Sequence, residues 1–175
     1  MYMSSLVDDL QAVIRNVPDF PKPGIQFKDI TPIFSEPALL ERVIDNFAEQ
    51  YKEDVDVVVG VESRGFLFGV PLALKLGLPF VLARKVGKLP ADKISHTYEL
   101  EYGTATLEMH SDSISQGQRV VVVDDLLATG GTARATDALI SELGGIVTSF
   151  AFVIALDFLK GAETLSAPTY SILHY

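Results

Sequence analysis

Residues 120–132 read VVVVDDLLATGGT, and this segment narrows the possible folds further than any other in the chain. Four consecutive β-branched residues suit a strand buried on both faces, the situation of a parallel sheet covered by helices on each side. Asp124 and Asp125 follow where such a strand leaves the sheet. Adjacent carboxylates there can accept hydrogen bonds from a diol, such as two ribose hydroxyls, or hold water on a divalent ion. Ala128-Thr129-Gly130-Gly131-Thr132 then supplies small residues, consecutive backbone N–H groups and two hydroxyls ahead of a helical pattern. That is a phosphate cradle at a helix N-terminus. Carboxylates for sugar hydroxyls beside a phosphate nest describe a ribose-5-phosphate site.

The rest of the chain has the periodicity of an α/β fold. Leu6, Leu10, Val13, Ile14 and Val17 follow helical spacing, with Ser4 or Ser5 as cap. Phe20-Pro21-Lys22-Pro23-Gly24 cannot be helix and reads as a shaped loop. Leu40, Val43, Ile44 and Phe47 mark a second amphipathic helix. The spacing then predicts a strand over 55–61, a helix over 66–76, strands over 80–83 and 120–123, a helix over 134–143, and closing strands over 147–156 and 170–173. Strands alternating with helices imply a central parallel sheet flanked by helices. His96 to Tyr102 alternates, turns at Gly103-Thr104, and resumes through Met109. It is expected to form an inserted β-hairpin, a hood at about 88–112 beside the sheet. A single domain over 1–175 is expected, with an N-terminal segment at about 1–35.

Composition limits the partners. The formal net charge is -9, whereas a nucleic-acid backbone is normally met by an excess of Lys and Arg on one face. Neither nucleic acid nor membrane is expected as a partner, since the longest apolar stretches, such as Phe150 to Leu156, are far too short to span a bilayer. The N-terminus lacks a basic region leading into an apolar core, and with no cysteine there is no disulfide framework. A cytoplasmic location fits both. An anion must therefore be held by a local site.

Ligands of open α/β sheets bind at the carboxyl ends of strands near a switch in strand order. Three such ends carry unusual polar groups: Glu62-Ser63-Arg64-Gly65, Arg84-Lys85 with Lys88, and Asp124 through Thr132. No Lys-Ser or Lys-Thr follows the glycines at the spacing of a nucleotide P-loop, and no GxGxxG is present. A serine-hydrolase elbow at 61–65 is excluded because Val61 stands where that motif needs Gly. His96, His110 and His174 are scattered.

VVVVDDLLATGGT resembles the phosphoribosyl pyrophosphate motif of type I phosphoribosyltransferases, in its adenine-specific form. FPKPGIQFKDITP, VESRGFLFG, LARKVGKLP, YELEYGTATLE and FVIALDFLKG extend the likeness in order over nearly the whole chain. The resemblance implies that the chain joins adenine to 5-phosphoribosyl 1-pyrophosphate to give AMP and pyrophosphate. It implies that Asp124 and Asp125 grip the ribose hydroxyls and that Ala128, Thr129, Gly130, Gly131 and Thr132 hold the 5-phosphate. Arg64, in a loop that often contains a non-proline cis peptide in this superfamily, is implied as a pyrophosphate ligand, with Arg84, Lys85 and Lys88. For the base it implies stacking by Phe27, backbone reading near Ile25 and Gln26, Lys28 where some members have Arg, and Leu126 on the opposite face. Glu101, the Glu before Tyr-Gly, is implied as the acid–base group. Mg²⁺ is expected with the substrate, carried through water on Asp124 or Asp125 and not by a dedicated protein site. A homodimer is expected from the likeness alone. The alternatives are a different purine specificity and a non-catalytic regulator that senses phosphoribosyl pyrophosphate.

Overall fold

The computed structural model describes residues 5–99 and 103–175. The chain forms two compact units, residues 1–46 and 47–175. In the first, α1 (Leu6–Val13) is capped by Ser5, whose side chain accepts from the Asp8 N–H. The helix ends sooner than its apolar spacing suggested, because Ile14 is already extended. Val17 therefore lies on β1 (Arg15–Pro18), which pairs antiparallel with β2 (Gln26–Asp29), Val17 opposite Phe27. Residues 19–25 close this hairpin as the shaped loop expected from the prolines. Asp19 accepts from the Gly24 N–H at 2.7 Å, and the Phe20 ring stands edge-on to Phe27 at 5.0 Å. A 3₁₀ turn (Thr31–Ser35) leads into α2 (Pro37–Gln50).

The second unit is built on a seven-stranded sheet. Its strands are β3 (Val57–Val61), β4 (Phe80–Lys85), β5 (Lys93–Glu99), β6 (Thr104–His110), β7 (Arg119–Leu127), β8 (Ile146–Ala155) and β9 (Thr169–His174). Their spatial order is β5-β6-β4-β3-β7-β8-β9. The pairs from β4 through β9 along the parallel part are β4–β3, β3–β7, β7–β8 and β8–β9, while β5–β6 and β6–β4 are antiparallel. The hairpin expected beside the sheet is thus hydrogen-bonded into its edge, through Arg84 opposite Glu108 and Lys85 opposite Leu107.

Both faces of the central strands are buried, as the valine runs require. Val57, Val59, Val61, Val120 and Val122 pack with Ala135, Leu139 and Ile140 of α4 (Gly131–Glu142). The alternate residues Val58, Val121 and Val123 are fully buried too, and α3 (Arg64–Leu76) packs on β3, β4 and β7 with Phe68 and Leu72 inward. Each side chain follows the two-residue period of a strand. From β3 the chain proceeds through α3 to β4 on one side, and from β7 through α4 to β8 on the other. The switch point therefore falls between β3 and β7.

β7 is longer than the four-valine run suggested. Its ladder to β3 stops at Gly60 opposite Val123, but its ladder to β8 continues to Leu127 opposite Ala155. Asp124 and Asp125 therefore belong to the strand itself, where β7 outruns β3, and do not follow it. At the other end of the same pair, Asp56 accepts from the Arg119 backbone N–H at 2.9 Å and from Nε at 3.1 Å and Nη2 at 2.9 Å.

The Arg119 hydrogen bonds pull the Asp56 carboxyl from its ordinary 3.8 down to about 2. A depressed carboxyl stabilises the fold above the unfolded value and loses that contribution as the pH falls through the folded one. Asp56→Asn is expected to lower resistance to urea at neutral pH. Its difference from the parent should shrink as the pH falls from about 4 towards 2, measured by urea titration at a series of pH values.

Candidate functional site

Where β7 projects past β3, two cavities open in the second unit. The larger, about 360 Å³, is lined by Glu62, Ser63, Arg64, Lys85, Tyr98, Leu107, Asp124, Asp125 and Thr132. The smaller, about 100 Å³, is lined by Leu126, Leu127, Phe152 and Ala133 together with Ala128 through Thr132. Asp124 and Thr132 border both. A ligand with a sugar in the first and a phosphate in the second would run past these two side chains.

The carboxylate pair is held by local packing. α3 begins directly against β7, because Gly65 has no Cβ: one built there would lie 2.5 Å from the Val123 carbonyl oxygen and 3.2 Å from the Asp124 Cα. This approach brings Arg64 Nε within 2.7 Å of Asp125 Oδ2. Asp125 is 6% exposed against 39% for Arg64, so the pair has one buried and one cleft-facing member. The peptide Glu62-Ser63, just before Arg64, is cis, in the loop where the resemblance implied one. Asp124 Oδ1 accepts from the Asp125 N–H at 2.8 Å. Asp124 lies deep in the cleft while keeping part of its surface open to it. Burial first, and then the neighbouring Asp125 charge, push its carboxyl well above the usual range; Arg64 opposes this. A site that strains one carboxylate in this way favours a ligand bringing hydroxyl donors or positive charge.

The cationic residues divide. Arg64 and Lys85 line the larger cavity. Arg84 instead forks onto Glu62, with Nε and Nη2 each 3.2 Å from a carboxylate oxygen, and its Nη1 donates to the Lys88 carbonyl at 3.2 Å. Glu62 also accepts from the Lys85 N–H at 2.9 Å, and the Arg84 guanidinium above all holds its carboxyl below the usual range. Arg84 thereby fixes the ends of β3 and β4 together and arches the Lys85–Lys88 turn. Lys88 is exposed and outside the cavity lining. Among the described residues, no three His, Asp or Glu side chains gather as a metal-ligating cluster.

Loop 128–132 is shaped by groups the sequence reading did not assign. Gly130 is left-handed (φ 80°) and precedes α4, whose first turn carries Gly131 and Thr132. Behind it, a short 3₁₀ turn (Gly161–Thr164) presses on the loop. A Cβ on Gly161 would lie 2.1 Å from the Ala128 carbonyl oxygen. Arg134 donates to the Thr129 carbonyl at 3.1 Å and to the Thr164 hydroxyl, which itself donates to the Gly161 carbonyl at 2.7 Å. In front, the Tyr98 and Thr132 hydroxyls are 3.1 Å apart. The only sequence signal for this brace was the FLKG block, which the resemblance quoted without a role. Leu126 pairs with Ile154 and forms part of the smaller cavity's wall. Ile25 is exposed, and Gln26, Phe27 and Lys28 lie on β2 of the first unit. Glu101 lies outside the described residues.

The model of the phosphoribosyl transferase domain matches residues 30–170. An adenine phosphoribosyltransferase of Myxococcus xanthus is 56% identical over 163 residues, 93% of this chain and 89% of the relative. Among solved structures, the adenine phosphoribosyltransferase of Thermoanaerobacter pseudethanolicus superposes with a TM-score of 0.94 at 47% identity, covering 98% of this chain and 100% of its own. That of Saccharomyces cerevisiae, in complex with an imino-altritol bisphosphate and adenine, gives 0.93 at 42% identity, covering 97% and 99%.

The backbone contact at Gly161 yields a direct test. Gly161→Ala is expected to displace the Ala128 carbonyl and weaken binding of ribose 5-phosphate about tenfold or more, because phosphate cradles depend on fixed N–H directions. Titration calorimetry measures the binding, and an unchanged far-ultraviolet circular dichroism spectrum shows that the fold persists.

Proposed function

The chain belongs to the phosphoribosyltransferase family, and from that premise we propose that it is an adenine phosphoribosyltransferase, joining adenine to 5-phosphoribosyl 1-pyrophosphate to form AMP and pyrophosphate. The observation that carries the reading is the pair of adjoining cavities, with the Asp124 carboxyl at their junction, cations in one and the glycine-rich loop 128–132 in the other. Asp124 and Asp125 accept the ribose hydroxyls, and Ala128, Thr129, Gly130, Gly131 and Thr132 hold the 5-phosphate. Arg64 and Lys85 face the pyrophosphate, with Lys88 on the same turn and Arg84 setting that turn's shape.

In the reaction, adenine N9 attacks C1 of the ribose and the C1–oxygen bond to pyrophosphate breaks. Positive charge builds on the sugar ring as it does so, and the nearby carboxylates suit that change. Arg64 and Lys85 offset the negative charge released on the leaving group. Glu101 takes up the proton lost from the attacking base. The likeness to adenine phosphoribosyltransferases supports base-recognition roles for Ile25, Gln26, Phe27 and Lys28, with Phe27 stacking on the purine, and for Leu126. Mg²⁺ suits the donor set, since two carboxylates face a cavity roomy enough for a hydrated ion. When bound with the substrate it neutralises pyrophosphate charge, and Asp124 or Asp125 would hold it through water. A homodimer is supported by α3, whose outer face leaves Leu67, Val70 and Leu74 exposed by 48%, 41% and 78% at helical spacing. No helix among the described residues is long and apolar enough to cross a membrane.

Incubation with 5-phosphoribosyl 1-pyrophosphate, Mg²⁺ and one base at a time tests the assignment. AMP is expected to form from adenine at least about a hundredfold faster than IMP from hypoxanthine or GMP from guanine. Equal use of the three bases contradicts the specificity, and tight substrate binding without any product marks a non-catalytic sensor.

Asp124 separates function from stability. Its raised carboxyl means that folding disfavours the ionised form, so its penalty is absent below the ordinary value of 3.8 and grows as the pH rises above it. Asp124→Asn is expected to melt no lower than the parent at pH 7. Its turnover should fall about a hundredfold or more, read from calorimetric melting and initial rates on one preparation.

A further inference from the structure

Thr132 borders both cavities, and its hydroxyl meets that of Tyr98, which stands on β5 of the hairpin. The tyrosine ring is half-buried and flanks the phosphate loop: a Cβ built on Gly131 would lie 3.6 Å from the Tyr98 Cδ2. The ring lies beside Gly131 and the hydroxyl meets that of Thr132, which places the side chain along the loop. Nothing in the loop motif itself calls for this contact.

We propose that Tyr98 is a positioning residue, which acts through Thr132 by turning the threonine hydroxyl to donate to a ligand's phosphate. The inference rests on the reading of residues 128–132 as the 5-phosphate loop. A threonine hydroxyl has one hydrogen and two acceptor lone pairs, and so in effect does the tyrosine hydroxyl. Phosphate oxygens only accept. If Thr132 spent its hydrogen on Tyr98, it would present a lone pair to the phosphate, and the two would repel. With Tyr98 as donor, the Thr132 hydrogen turns towards the cavity and a chain runs from Tyr98 through Thr132 to the phosphate. Each hydrogen bond in such a chain polarises the next, and the charged acceptor strengthens it further. Tyr98 thus enhances phosphate binding without touching the phosphate, and it ties the hairpin to the occupied loop.

The test is a double-mutant cycle on the full chain, with ribose 5-phosphate as the probe in titration calorimetry. Tyr98→Phe keeps the ring on Gly131 and is expected to weaken binding about tenfold, the scale of one hydrogen bond in a charged network. Thr132→Val should weaken it at least as much, and the double variant should bind no worse than Thr132→Val alone. In steady-state rates Tyr98→Phe should raise KM for 5-phosphoribosyl 1-pyrophosphate, with kcat and KM for adenine within about twofold of the parent. Losses that simply add in the double variant, or a Tyr98→Phe protein that binds like the parent, overturn the role given to Tyr98. A parent that does not bind ribose 5-phosphate, or a Thr132→Val protein that binds it unchanged, overturns the phosphate-loop reading and this proposal with it.

Discussion

The hydrogen-bonded ladder of β7 is the constraint on which the site depends. This strand is held on both sides, by β3 through Val123 and by β8 through Leu127. Because the two ladders end at different heights, β7 carries Asp124 and Asp125 past the end of β3 while its other edge stays paired. The carboxylates therefore stand on a regular strand and not on a loop, which fixes their direction to within the tolerance of a sheet. The four buried valines below them anchor the strand in both halves of the core. α3 and α4 then start beside its upper end, one bringing Arg64 and the other the glycine-rich loop 128–132.

The cleft of this acidic chain can admit an anion because the chain's own charges there are occupied. Glu62 could repel a pyrophosphate, but both its oxygens are taken by Arg84 and one also by the Lys85 N–H. Asp125 is set against Arg64. What faces the larger cavity is cationic on one side and, on the other, Asp125 held by Arg64 with the Asp124 carboxyl beside it. That division matches a ligand with hydroxyls at its centre and phosphates at both ends. The net charge of -9 has little bearing on such a site, since exposed charges further away than about 10 Å are largely screened at ordinary salt.

Much of this was legible in the sequence, and for a local reason. Strand periodicity, valine runs and a glycine-rich loop before a helix are short-range signals, so the sheet and its helices were found where expected. What was not legible depends on partners distant in the chain. The true end of β7 is set by β8, more than twenty residues on. Val17 fits the helical spacing of α1, yet pairing with Phe27 draws it into a strand. Arg84 and Glu62 are 22 positions apart, and Tyr98 and Thr132 are 34 apart. No local pattern could announce such contacts; only the resemblance pointed at the block containing Gly161, and it gave no reason for that glycine.

The packing of loop 128–132 on Gly161 and Thr164 bears on the order in which the molecule is made. Ribosomes deliver the chain from its N-terminus, so the carboxylates, the loop and α4 emerge well before the turn that presses on them. Until residues 161–164 have left the exit tunnel, the Ala128 carbonyl lacks the backbone that presses on it and Arg134 lacks the Thr164 hydroxyl. A growing chain thus carries residues 128–132 before the turn that shapes them. The observed form of the loop waits on a segment made late in synthesis, just ahead of the strand that closes the sheet.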